Sequence, residues 1–190
     1  MLKHILIFLG YTFSIQCYSQ DSLNIPITYS QIIKVDSALS SNELYHRARA
    51  WFAETYRSAQ DVIQMDDKEN GKIIGKGNIR YTSKIFFGSE GTKGWIRYTI
   101  SIHVKNGRYK YEVSDFYHEG NPLNSGGQLS FGLITNSIEC PYKVGAMTGK
   151  GWRNKVWDDI KETIEKSITS LTESIINSMG KSAKNKDADW

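Results

Sequence analysis

Residues 145–151, Gly-Ala-Met-Thr-Gly-Lys-Gly, have the composition of a loop that could hold a phosphate group. A nucleotide-binding P-loop places four residues between its two glycines and a serine or threonine after its lysine, where the hydroxyl reaches the metal ion. Here three residues separate Gly145 from Gly149, and Gly151 follows Lys150. The pattern therefore favours a glycine-rich lead into the following helix rather than a nucleotide site.

Cys140 could act as a nucleophile only if a histidine lay beside it and activated the thiol. His46, His103 and His118 are the histidines that follow the N-terminal segment, and none stands in a recognisable catalytic context. A lone cysteine in such a setting behaves as a small apolar side chain. We therefore expect Cys140 to pack rather than to react.

The remaining chemical candidates lack a partner at the required spacing. His118-Glu119 has no second histidine one helical turn away, as zinc hydrolases have. Asp66-Asp67 and Asp158-Asp159 are adjacent in sequence, so their side chains point apart on a strand or a helix. The sequence therefore predicts no catalytic residue, no metal site and no cofactor, and the chain is not expected to be an enzyme.

Apolar and polar residues alternate through residues 95–117, on both sides of Asn106-Gly107. This dipeptide is a favoured two-residue hairpin loop because both of its residues tolerate positive φ. Such a loop fixes strand register, so residue 105 pairs with residue 108 and the other pairs follow. The predicted apolar pairs are Val104 with Tyr109, Ile102 with Tyr111, and Ile100 with Val113.

The same register predicts a candidate binding surface on the polar face of the hairpin. It places Trp95 opposite His118 and Arg97 opposite Phe116. Rigid aromatic rings beside a guanidinium are favoured at recognition surfaces because they bind with little loss of entropy. The alternative is that the loop at 119–150 folds over this face and buries the rings.

The other elements follow from periodicity and capping signals. Strands are predicted at 27–36, 62–66 and 72–82. Ser40 and Glu43 have capping-box spacing and begin a helix that runs to about Ser58. Residues 118–150 look irregular, with a short edge strand at 129–135, and a long amphipathic helix follows at 152–179. The polar tail at 180–190 is expected to be disordered.

The N-terminus has the form of a secretory signal. Lys3 precedes an uncharged apolar run from Ile5 to Ile15, which is too short to span a membrane as a helix. Cleavage after Ser19 would leave a signal peptide at 1–19 and a lead-in at 20–26. Two other readings remain: lipidation at Cys17, whose preceding residues fit that signal poorly, or a core element at 5–15. We expect an exported protein, periplasmic or extracellular.

The mature chain would form a single domain at 27–179. Loss of Lys3 lowers the net charge from +4 to +3, too weak a field to argue for nucleic acid. No second apolar run approaches the length of a transmembrane segment. The order β-α-β-β-β-β-α predicts a two-layer α+β fold, with an antiparallel sheet of about five strands and two helices on one face.

Several segments resemble a known family. They are Asn42-Glu43-Leu44-Tyr45, Trp51-Phe52, Val62 to Asp66, Gly71 to Gly77 and the hairpin turn Lys105-Asn106-Gly107-Arg108. These look like domain of unknown function 4468, whose members are exported proteins of Bacteroidota described as having a TBP-like fold. The likeness covers about residues 27–118. It implies a TBP-like fold and an envelope setting, and it supplies no catalytic residues. A TBP-like fold does not by itself imply DNA binding.

Two functions remain open at this point. The leading expectation is a non-catalytic module of the cell envelope that binds an envelope protein or a surface component. The alternative is a carrier of an apolar small molecule between the C-terminal helix and the sheet. In that case Gly75 and Gly77 would leave room for the ligand, and the loop at 118–150 would act as a lid. The sequence does not determine the partner or the oligomeric state.

Overall fold

The computed structural model describes residues 24–85, 89–122 and 127–180. The predicted signal peptide, the lipidation reading at Cys17 and the predicted tail after Gly180 lie outside the described residues. The elements, in chain order, are β1 (Tyr29–Lys34), α1 (Ser41–Thr55), α2 (Ala59–Val62), β2 (Ile63–Asp67), β3 (Lys72–Tyr81), α3 (Ser89–Thr92), β4 (Gly94–Lys105), β5 (Arg108–Gly120), β6 (Gly132–Leu133) and α4 (Lys150–Gly180).

The strands form one antiparallel sheet in the order β1-β5-β4-β3-β2, and β6 pairs with β5 outside that path. We call the face that α1 and α4 cover the helix face and the opposite face the open face. The predicted two-layer α+β arrangement is confirmed, although the sheet has six strands rather than about five. The sixth strand is the two-residue β6, which falls within the short edge strand predicted at 129–135 and pairs with Tyr117 and His118.

Helix α1 begins where the capping signal predicts. The Glu43 N–H donates to the Ser40 hydroxyl oxygen at 3.2 Å, which satisfies one of the free donors of the first turn. The apolar stripe of α1 is buried against the sheet and α4: Leu44, Tyr45, Ala48, Trp51 and Phe52. The helix ends before Tyr56, whose N–H still donates to the Phe52 carbonyl at 3.2 Å.

Helix α4 closes the same layer and runs close to the predicted bounds of 152–179. Its buried stripe includes Ile160, Ile164, Ile168 and Ile175, at spacings of four and seven residues. The Trp51 indole N–H donates to the Ser174 hydroxyl at 2.9 Å, which joins the two helices. No helix within the described ranges is long and apolar enough to cross a membrane.

The described part of the loop between β5 and α4 packs on the helix face. Phe131, Ile134 and Val144 are buried in the core. Phe131 lies beside Trp157 of α4, with ring centroids 6.5 Å apart. Trp95 nevertheless stays about half exposed, so the described residues of this loop do not bury that ring.

Candidate binding surface

Near its turn, the β4–β5 hairpin has the predicted register. Val104 pairs with Tyr109, Ile102 with Tyr111 and Ile100 with Val113. All of these side chains are buried on the helix face. Gly107 has a φ of +68°, as the predicted turn requires, whereas Asn106 does not have a positive φ, so only one of the two loop residues uses the left-handed region.

Beyond Thr99 the register shifts at a β-bulge. Thr99 pairs with Ser114 and Arg97 with Tyr117, so Asp115 and Phe116 stand together opposite Tyr98. Asp115 has a φ of +56°, in the left-handed region that such bulges use. One extra residue on β5 reverses which of the later side chains face the helices.

The predicted pairs of Trp95 with His118 and of Arg97 with Phe116 are therefore wrong. Trp95 pairs with Glu119, and His118 pairs with Ile96. Phe116 and His118 lie on the helix face and are fully buried. Neither can belong to an exposed binding surface, because the bulge has turned both into the core.

His118 forms two hydrogen bonds inside the core. The Phe131 N–H donates to Nδ1 at 3.1 Å, so Nε2 carries the proton and donates to the Thr92 carbonyl at 3.0 Å. The ring also makes edge contacts with Tyr81 and Phe131. Burial lowers the pKa of His118 to about 4, so the ring is neutral at neutral pH. These contacts give His118 a structural role that fastens the loop to the sheet.

Trp95 and Arg97 remain on the open face, and the bulge brings Tyr117 beside them. Trp95 is 45% exposed and Tyr117 47% exposed. Arg97 lies directly opposite Tyr117 and forms an ion pair with Glu119. We call Trp95, Arg97, Tyr117 and Glu119 the aromatic patch. Tyr117 and Glu119 were not predicted for this surface, because the sequence pattern places both on the opposite side of β5.

The other residues considered for catalysis, phosphate binding or metal binding lie in surroundings that favour a structural role. The Cys140 thiol is half-buried and donates to the Tyr142 carbonyl at 3.6 Å, and burial raises the pKa of Cys140. Gly145 and Gly149 lead into α4, as the sequence predicts, and the helix begins at Lys150, two residues before the predicted start. Within the described residues, no three histidine, cysteine, aspartate or glutamate side chains lie close enough together to hold a metal ion.

The space over the two β3 glycines is filled by the protein itself. A Cβ added at Gly75 would lie 2.6 Å from the Phe52 ring, and one added at Gly77 would lie 2.3 Å from the Tyr98 ring. Tyr98 is fixed by a 3.0 Å hydrogen bond between its hydroxyl and that of Tyr56. The glycines thus admit aromatic rings of α1 and β4, and they leave no room there for a ligand.

The segment from β1 to β5 matches a known protein family. Residues 29–119 match the family described as a domain of unknown function (DUF4468) with a TBP-like fold. This segment is a DUF4468 domain. The family therefore agrees with the one that the sequence motifs resemble.

Two solved structures have a fold similar to that of this chain. One is a TBP-like protein from Parabacteroides distasonis, with a TM-score of 0.54 and 17% identity over 80% of this chain and 94% of that one. The other is a DUF4468 family protein from Bacteroides ovatus, with a TM-score of 0.52 and 13% identity over 79% of this chain and 86% of that one. At these identities the likeness shows the fold alone. None of the curated proteins matches the chain.

Proposed function

We propose that this chain is an exported, non-catalytic binding module of the cell envelope, and that its aromatic patch contacts an envelope protein or a surface component. One observation carries the proposal. Two half-exposed aromatic rings, Trp95 and Tyr117, flank Arg97 on a sheet face that no described helix covers. A core that needed these rings for stability would bury them.

The chemistry of the aromatic patch suits recognition rather than catalysis. Tryptophan, tyrosine and arginine are the side chains most enriched among residues that dominate binding energy. The ion pair with Glu119 holds the Arg97 guanidinium in place, so less side-chain entropy is lost when a partner binds. Trp95 and Tyr117 lie on rigid strands, which keeps their spacing fixed.

The proposed setting rests on the N-terminal sequence. Lys3 and the apolar run from Ile5 to Ile15 have the length and charge order of a secretory signal. Removal of residues 1–19 would leave the DUF4468 domain intact, because that domain begins at residue 29. Sequencing the N-terminus of the protein recovered from its host tests this point, and we expect it to begin at Gln20.

Alanine substitution of the patch tests the binding role. We expect Trp95→Ala and Tyr117→Ala each to lower recovery of crosslinked partner from native envelope fractions by about tenfold, because such anchors typically contribute 1–2 kcal/mol or more. The readout is quantitative crosslinking followed by affinity capture. Circular dichroism and thermal unfolding show whether each variant stays folded.

The control is Met147→Ala, which changes a side chain that is 99% exposed and lies in the loop before α4. We expect this variant to capture as much partner as the parent. Equal capture by folded Trp95→Ala and Tyr117→Ala variants would rule out the patch. No structural observation favours the alternative of an apolar-ligand carrier, because Phe52 and Tyr98 occupy the space it needs.

A further inference from the structure

Basic side chains collect at the end of the open face that is nearest the hairpin turn. Strand pairing places Lys34 opposite Arg108 and Arg108 opposite Lys105. The next row on the same face contains Ile32, Lys110, His103 and Lys72. We call Lys34, Lys72, Lys105, Arg108 and Lys110, together with Ile32, the basic end.

This arrangement lowers stability, and the described residues compensate only part of its charge. Like charges directly opposite each other on neighbouring strands are destabilising. Lys34, Lys105 and Arg108 form no ion pair within the described chain. Lys110 pairs with Glu112 at 2.7 Å, and Asp67 is the acid opposite Lys72. A positive field therefore remains over this part of the sheet.

The pKa of His103 reflects this positive field. Burial lowers the pKa of His103, and the neighbouring positive charges of Lys72 and Lys110 lower it further. Glu112 acts in the opposite direction without reversing the result. His103 is therefore neutral at neutral pH.

An apolar side chain stands among these cations. Ile32 is 65% exposed, pairs with Lys110, and lies two residues from Lys34 on β1. It borders a shallow hollow of about 450 Å³ that His103, Lys105 and Arg108 also line. A solvent-facing isoleucine in a strongly basic surface has no role in the packing of this sheet.

We propose that the basic end docks on the surface of an anionic lipid bilayer. Charge complementarity carries the choice of occupant, since lysine and arginine side chains are attracted to negatively charged headgroups. The exposed side chain of Ile32 favours a lipid bilayer over a nucleic acid as the anionic surface. At a bilayer it enters the boundary between headgroups and acyl chains, whereas beside a phosphodiester backbone it stays in water.

This docking goes beyond the proposed function and uses a different part of the open face. Trp95 and Lys105 lie at opposite ends of β4, about 30 Å apart at the rise of an antiparallel strand. A partner held by the aromatic patch would therefore leave the basic end free. The inference depends on the proposed export only for its setting, because export brings the chain to the lipid of the envelope.

Vesicle cosedimentation of the protein in the form recovered from cells that export it tests the docking. We expect it to bind phosphatidylcholine vesicles that contain phosphatidylglycerol, and to bind pure phosphatidylcholine vesicles at least about tenfold more weakly. The double variant Lys105→Glu/Arg108→Glu should lose about tenfold or more in affinity for the anionic vesicles. Ile32→Ser should lose severalfold, and its loss should persist in high salt, where charge attraction is screened.

The matched control is Lys143→Glu/Lys155→Glu, which changes the net charge equally at exposed positions outside the sheet. It should bind within about twofold of the parent, as should Trp95→Ala, which separates this inference from the proposed function. Equal loss in the control, equal binding to both vesicle types, or no loss in Lys105→Glu/Arg108→Glu would overturn the proposal. Tighter binding to a phosphodiester oligonucleotide than to anionic vesicles at the same salt would also overturn it.

Discussion

At Asp115 the backbone of β5 adopts a φ of +56°, in the left-handed region that most residues with a side chain avoid. Aspartate tolerates this region because its short polar side chain can bond locally, and here its carboxylate accepts from the Ser114 hydroxyl at 3.3 Å. The bulge at Asp115 also changes the direction of the side chains that follow it. Phe116 and His118 turn into the core, and Tyr117 turns out to join Trp95 and Arg97.

The effect of a substitution at Asp115 on the free energy of unfolding should depend on whether the new residue accepts a positive φ. Asp115→Gly and Asp115→Asn should change the free energy of unfolding by less than about 0.5 kcal/mol, since both residues accept positive φ. Asp115→Val should lose about 1–2 kcal/mol because a β-branched side chain resists the left-handed region. Urea unfolding measures all three. A Val variant as stable as the Asn variant would contradict the bulge.

His118 is the residue whose burial has the clearest consequence for pH. Its pKa is about 4 in the folded protein, below the ordinary value of 6.5 that the unfolded chain has. The unfolded chain therefore takes up a proton between about pH 6.5 and 4 that the folded chain does not. Stability from this group is complete above the upper value and is lost as the pH falls through that window.

We expect His118 to lower the free energy of unfolding by about 2 kcal/mol between pH 7 and pH 5. His118→Gln keeps a donor and an acceptor but does not titrate, so its unfolding free energy should change much less over that range. The residual change includes His103, whose lowered pKa acts with the same sign. Paired urea titrations at the two pH values measure the difference. An equal drop in parent and variant would show that His118 is not the group responsible.

At the scale of elements, the two glycines of β3 allow aromatic rings of the core to lie directly against the backbone of that strand. Gly77 pairs with Tyr98, and the Tyr98 ring covers the position that a Cβ would occupy. On a strand of ordinary packing, alanine would stabilise relative to glycine through lower chain entropy. Here the added methyl group meets a ring that Tyr56 holds in place, so overpacking dominates.

Gly77→Ala should therefore lose about 1–3 kcal/mol of unfolding free energy. Combination with Tyr98→Leu, which removes the ring, should give a loss smaller than the sum of the two single losses by about 1 kcal/mol. Gly149→Ala is the control, because a Cβ at Gly149 meets nothing within 4 Å, and it should change stability by less than about 0.5 kcal/mol. Strict additivity of Gly77→Ala and Tyr98→Leu would mean that the ring does not fill this space.

The elements themselves were largely predictable from the sequence, and the reasons are local. The Ser40 cap sets the start of α1, and the Asn106-Gly107 turn fixes the first half of the hairpin register. The long 3.6-residue period of α4 gave its bounds to within two residues. Each of these signals acts over a few residues, so a single sequence contains it.

The far half of the hairpin was not predictable by the same reasoning. Phe116 and Tyr117 are adjacent aromatics, so apolar alternation fits either face after Ser114. The available signal was Asp115 itself, a charged residue in the row that continues Tyr111 and Val113. The pattern cannot decide between a bulge and an exposed edge there, because Phe116 packs against Tyr29 and His118 packs against Tyr81 and Phe131, which lie outside the hairpin.

At the scale of the whole molecule, the two faces of the sheet have opposite characters. The helix face is packed by α1, α4 and the loop around Phe131, with aromatic rings where β3 has glycines. The open face carries the aromatic patch at one end and the basic end at the other. This asymmetry is the reason to place function on the open face, since an uncovered sheet face with half-exposed rings and a cluster of partly compensated cations is otherwise a liability.

Site-specific photocrosslinking in cells that export the protein tests this claim most directly. A photoreactive phenylalanine analogue is placed singly at Arg97, Ser101 or Tyr117 on the open face, and at the solvent-facing positions Lys155, Glu162 or Glu173 of α4. We expect adducts from the open-face positions and only background from the helix. Adducts from α4 with none from the open face would contradict it.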